Sequence, residues 1–132
     1  MRKSFRNFRE YINYLRACLE LIEDALTDLT FSYEEVTQLE GIVRGTLVFL
    51  DGSKLDFLEY VVIGRDGIRR LKYRYNYVDS EGNLVFRYDN APHHRVISTF
   101  PHHKHVGEGR ILPSSAPFLE EVIHEVLRYV KT

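Results

Sequence analysis

Three turns built on Asp and Gly cut the middle of this chain into alternating segments, and that rhythm restricts the fold more than any other feature of its 132 residues. Asp51-Gly52 and Asp66-Gly67 are strong two-residue hairpin signals, and Asp79-Ser80-Glu81-Gly82 makes a third, longer loop. Between the second and third, Leu71-Lys72-Tyr73-Arg74-Tyr75-Asn76-Tyr77 alternates apolar with polar, the period of a strand buried on one face. Val43, Leu47 and Phe49 precede the first turn, and Leu58, Tyr60 and Val62 follow it. Leu84-Val85-Phe86-Arg87-Tyr88-Asp89 follows the third. The expectation is a four-strand antiparallel meander, with a short segment near Val96–Phe100 as a fifth strand.

If the first two turns are two-residue turns and the third loop spans residues 79–82, Arg44 lies opposite Glu59, Glu59 opposite Arg74, and Tyr60 opposite Tyr73. Tyr75 then faces Phe86, and Arg74 faces Arg87. One face carries Val43, Leu47, Phe49, Leu58, Tyr60, Val62, Leu71, Tyr73, Tyr75, Tyr77, Leu84, Phe86 and Tyr88. The other carries Arg44, Glu59, Lys72, Arg74, Asn76, Arg87 and Asp89. A slip of one residue in any strand would exchange its two sets.

Two helices should cover the aromatic face. Phe5, Phe8, Ile12, Leu15, Leu19, Ile22, Leu26 and Leu29 recur at helical spacing, which predicts a helix over 4–28. Its apolar face is wide enough to suggest a homo-oligomer through this helix as well. Leu119, Val122, Ile123, Val126, Leu127 and Val130 predict a second helix over 116–131, started by Pro117 and capped by Ser114 or Ser115. The whole is expected to be one α+β domain, residues 1–132: helix 4–28, antiparallel sheet of 4–5 strands over 36–100, histidine-containing loop over 101–115, helix 116–131. A single cysteine, Cys18, excludes an internal disulfide and reads as a core residue. No apolar run approaches the ~18 residues of a membrane span, and no apolar segment follows the basic N-terminus as in a signal peptide. A cytoplasmic location is the expectation.

Charge and histidine then locate the chemistry. A net charge of -1 excludes a globally basic nucleic-acid binder. The distribution is uneven, with seven acids and no base from Glu20 to Glu40, but nine bases against five acids from Arg65 to Arg110. Five of the six histidines fall between His93 and His105, as His93-His94 and His102-His103-Lys104-His105. Histidine titrates near neutrality and is the commonest metal ligand. His124, among acids on the wet side of the last helix, reads as solvated.

Two chemistries fit. Metal-independent RNA cleavage needs one group to take the 2′-hydroxyl proton, another to protonate the leaving oxygen, and cations to stabilise the phosphorane-like charge. His102, His103, His105, His93, His94, Glu59 and Asp89 are the catalytic candidates. Arg44, Arg74, Arg87, Asn90 and Lys104 are the substrate-binding ones, with no cofactor needed. The alternative is a metal-dependent hydrolase or phosphoryl-transfer enzyme in which His93, His103 and His105 hold zinc, although the spacing matches no established zinc motif. A non-catalytic RNA- or protein-binding module is the third reading.

The segments DGSKLDFLEY (51–60), KYRYNYVDSEGNLVFRYDNAPHH (72–94) and FPHHKH (100–105) resemble the TumE-type toxin family of toxin–antitoxin modules, over residues 41–130. The resemblance implies a toxin neutralised by a helix-turn-helix antitoxin. It suggests Glu59, Arg87, Asp89, Asn90, His93, His94, His102, His103 and His105 as shared polar positions. The N-terminal helix is less typical of it.

Overall fold

A computed structural model describes residues 4–91 and 101–131. Helix α1 (Phe8–Glu20) is followed by β1 (Leu26–Thr37), β2 (Glu40–Phe49), β3 (Lys54–Gly64), β4 (Gly67–Val78), β5 (Leu84–Asp89), β6 (His103–Val106), β7 (Arg110–Pro113) and helix α2 (Leu119–Leu127). The strands form one antiparallel sheet in sequence order. The class is α+β with both helices on the aromatic face, as expected, but the sheet has seven strands, not four or five. The suggested strand near Val96–Phe100 lies outside the described residues.

The extra strands come from the flanks. The first helix stops at Glu20, a short 3-10 turn follows at Glu23–Ala25, and residues 26–37 are strand. The helical spacing of Ile22, Leu26 and Leu29 continued past the helix by coincidence. The β-branched and aromatic alternation through Thr30-Phe31-Ser32-Tyr33 prevails instead. At the other end, the segment expected as a histidine loop folds as the β6–β7 hairpin around Gly107-Glu108-Gly109, where Gly109 takes a φ of 80°. Helix α1 is capped by Asn7, whose side chain accepts from the Glu10 amide at 2.9 Å. Neither Ser114 nor Ser115 caps α2. Phe118 holds that position, and the Glu121 carboxylate accepts from its amide at 3.0 Å.

Three-residue loops replace the expected two-residue first turn and four-residue third loop, and the second turn keeps two residues one position earlier. Phe49 pairs with Ser53 around Leu50-Asp51-Gly52, with Gly52 at φ 86°, so β3 is displaced by one residue. Arg44 faces Leu58, and Gly45 faces Phe57. Because side chains alternate with period two, that slip inverts β3. Leu55, Phe57, Glu59, Val61 and Ile63 point into the core, and Leu58, Tyr60 and Val62 point out. The second turn falls at Arg65-Asp66 with Gly64 opposite Gly67, and a bulge at Leu71 then restores Tyr73, Tyr75 and Tyr77 to the core face. Leu71 itself is exposed. A second bulge between Tyr77 and Val78, with Val85 as the extra residue of β5, compensates for the three-residue loop at 80–82, so Phe86 faces Tyr77, Tyr88 faces Tyr75 and both keep the core face, while Val85 packs on the core in place of Leu84.

The core joins this face to Phe8, Tyr11, Ile12, Leu15 and Leu19 of α1 and to Leu119, Val122, Ile123 and Val126 of α2. The apolar stripe of α1 is therefore used within the chain. Gly41 is needed there, because the Phe8 ring lies where a Cβ would stand, 2.3 Å away. No helix among the described residues is long and apolar enough to cross a membrane.

Candidate functional site

Strand registers order the helix-free face. One cross-strand row runs Ser32, Arg44, Leu58, Arg74, Asp89, His103, Pro113, and the next Thr30, Thr46, Asp56, Asn76, Arg87, His105, Ile111. Residues two apart on one strand share a face, so both rows lie side by side. They surround an open depression of ≈ 590 Å³ lined by Arg44, Thr46, Asp56, Arg74, Asn76 and Arg87, among others. Arg87 is held there by Asn76, whose carbonyl oxygen accepts from the guanidinium Nε at 2.8 Å. Sequence reasoning placed Asn76 on this face without a role. Its place two residues from Arg74 was the available signal; its pairing with Arg87 comes from the observed register, which sets Arg74 opposite Asp89 instead of Arg87.

At the far end of the rows Asp89, His103 and His105 meet. One Asp89 oxygen contacts His103 Nε2, and the other lies 3.3 Å from His105 Nε2. The three side chains each offer one ligand-type atom, and these lie within 4.8 Å of one another. His103 Nδ1 is 2.8 Å from the Pro101 carbonyl oxygen, and the Ala91 amide donates to Asp89 at 3.3 Å. Asp89 and His103 are buried, whereas His105 is half-buried. The spacing His103-Lys104-His105 puts both imidazoles on one side of β6, and the β5–β6 register brings Asp89 opposite His103. This group can exchange protons or bind a cation.

The structure brings together Arg44, Arg74, Arg87, Asp89, His103 and His105 of the expected site, and it separates the rest. Glu59 is the main correction. It points to the opposite face because β3 is inverted, and is fully buried among the hydroxyls of Tyr11 and Tyr75. It therefore does not stand between Arg44 and Arg74. Burial raises its pKa, opposed by the two tyrosine hydrogen bonds and the Arg70 charge. Lys104 also faces the helices and pairs with Glu125 of α2 at 2.7 Å. The Asn90 side chain bridges the Leu71 bulge, accepting from the Tyr73 amide at 3.0 Å and donating to the Leu71 carbonyl at 3.1 Å. His102 is on the helix side too, with Nδ1 2.8 Å from the Tyr73 hydroxyl. Burial, then the charge of Arg70, lowers its pKa. The helix-side depression it lines is distinct from the one on the arginine face. The second histidine cluster thus does not enter the site as a unit. His93 and His94 lie outside the described residues. His124 is exposed, as expected, and Cys18 is half-buried with its sulfur 4.0 Å from Glu120.

A seven-stranded sheet with helices on one face and an Arg–Asp–His surface on the other defines the class: an α+β protein with one helix-covered and one polar sheet face. Comparison with protein families makes this particular. The chain matches the model described as Toxin TumE over residues 10–132, and it belongs to this family of toxins from toxin–antitoxin systems. The match begins inside α1, so it takes in the N-terminal helix that the quoted motifs left aside. No curated protein and no solved structure matches the chain.

Proposed function

We propose that this toxin acts on RNA as an endoribonuclease, holding the phosphodiester on the open sheet face and reacting at Asp89, His103 and His105. The observation that supports this is the pair of cross-strand rows in which Arg74 stands opposite Asp89 and Arg87 opposite His105. Guanidinium groups bind phosphate through paired N–H donors and offset the charge that builds on it in the transition state. The expected partner is a helix-turn-helix antitoxin that closes this face.

Two measurements test the reading. Induction in bacteria should arrest growth, coexpression of the antitoxin should restore it, and an Arg74→Ala/Arg87→Ala variant should be tolerated. The purified chain should cleave cellular RNA, and the double variant should not. Binding without cleavage by the wild-type protein would move the assignment to a non-catalytic RNA-binding module. Normal growth together with intact RNA would remove the ribonuclease.

A further inference from the structure

We infer that Asp89, His103 and His105 form a zinc site, with three protein ligands among the described residues. The inference deepens the reading of this cluster as the reactive centre, and it selects a metal-assisted reaction over a metal-free one. It rests on that reading only for its part in RNA cleavage. Metal binding rests on the geometry alone.

Three observations carry it. The ligand-type atoms converge: His105 Nε2 is 3.3 Å from one Asp89 oxygen, His103 Nε2 contacts the other, and the set lies within 4.8 Å. Zinc bonds to nitrogen and oxygen are about 2.0–2.1 Å, which makes a tetrahedral edge of roughly 3.3 Å, so the cluster closes on an ion with small side-chain shifts.

His103 is oriented as ligating histidines are. Its Nδ1 lies 2.8 Å from the Pro101 carbonyl oxygen, an acceptor only. With that carbonyl on Nδ1, Nε2 is the ring nitrogen turned to the Asp89 carboxylate, where a cation would share both. A backbone carbonyl on the outer nitrogen is the usual support for a metal-bound imidazole.

The ligands also sit on paired strands rather than a loop, and His103 and Asp89 are buried, which fixes their geometry and limits competition from water. Two imidazoles and a carboxylate suit zinc, and with no fourth ligand among the described residues the remaining position suits water or a phosphate oxygen. Zinc in such a site lowers the pKa of bound water and polarises a phosphoryl oxygen. Arg74 and Arg87, the strand neighbours of Asp89 and His105, favour an anion at that position.

The test is zinc titration of the tag-free full chain by calorimetry and native mass spectrometry. One zinc per chain is expected. Asp89→Asn and His105→Gln should each weaken binding by at least about 100-fold, and His124→Gln should leave it unchanged. Circular dichroism of each variant shows that it is folded, and His105→Gln at the half-buried position keeps the test usable should the Asp89 variant unfold. Absence of saturable uptake at one equivalent, or wild-type affinity in both ligand variants, overturns the site. RNA cleavage by protein verified as zinc-free overturns the metal's part in cleavage, while leaving the ribonuclease reading standing. Stoichiometric zinc without RNA cleavage supports the site and removes the ribonuclease.

Discussion

Glu59 and Asp89 are both buried carboxylates on neighbouring stretches of one sheet, and they face opposite ways into unlike company. Glu59 accepts from two tyrosine hydroxyls, one on α1 and one on β4. Beyond Tyr75 stands Arg70, which donates to the Tyr75 hydroxyl at 2.8 Å and to the carbonyls of Pro117 at 2.6 Å and Ala116 at 2.7 Å. Its guanidinium lies between the rings of Tyr73 and Phe118, at 4.2 and 3.8 Å from their centroids. That network ties both helices to the sheet, and it holds Ala116 at a φ of 60°. Every partner of Glu59 is a hydroxyl that simply satisfies it. Asp89 instead meets two imidazoles, groups able to exchange protons or ligate, beside arginines, groups able to bind anions. Burial of an acid does not distinguish function from architecture here. The chemistry of the partners does.

Function and stability should therefore separate between the two acids. The largest effect is expected for His105→Gln, which should reduce RNA cleavage by about 10²–10⁴-fold while leaving the urea midpoint close to wild type. Loss of stability in parallel with activity would make the cluster structural, like that of Glu59. Glu59→Ala should do the reverse. It strands two buried hydroxyls and the charge of Arg70, costing about 2–4 kcal/mol. Zinc affinity and cleavage per folded molecule should be retained well below the melting temperature. A lowered zinc affinity in this variant would join the two clusters into one unit.

The same contrast shows what was legible in the sequence. The turns, the tyrosine strand and the two apolar helical stripes were written in local periodicity, and the aromatic core face of β4 and β5 follows from them. The identity of Glu59's neighbours was not. Whether Leu50-Asp51-Gly52 closes as a two- or three-residue loop depends on Asp51, which a two-residue turn would put at positive φ and which stays out of that region here, while Gly52 suits both loops. That single choice inverted β3 and moved Glu59 from the arginine face to the core. The bulge at Leu71 was equally silent, yet it returned β4 to its expected face. Asp89, His103 and His105 were identifiable as residues. Their convergence required the β6 strand, hidden because HKHV is short and polar and reads as loop. His102 shows the same limit from the other side, since adjacent residues on a strand point to opposite faces.

A smaller effect separates burial from bonding at Glu59. Burial raises its pKa, so the folded chain keeps a proton that the unfolded chain releases from about pH 4.3. Stability from this group is full below that value and is lost as pH rises through the native pKa. Glu59→Gln removes the titrating group while keeping polar contact with Tyr11 and Tyr75. Urea midpoints measured across about pH 4 to 7 should fall less steeply with rising pH in this variant than in wild type. Equal slopes would mean that hydrogen bonding from the tyrosines, not burial, dominates the site.

The least effect concerns the arginine face. Each phosphate contact to single-stranded nucleic acid contributes about 0.7 to the slope of log affinity against log salt. On a non-cleavable 2′-O-methyl RNA, Arg87→Ala should lower that slope by about one such contact. Arg128→Ala, an exposed change beyond the end of α2, should leave it alone. Arg87 is the more informative arginine because Asn76 already orients it, so little ordering is needed on binding. An equal change in both variants would mean that RNA samples the whole surface. The two sheet faces would then differ in packing and not in recognition.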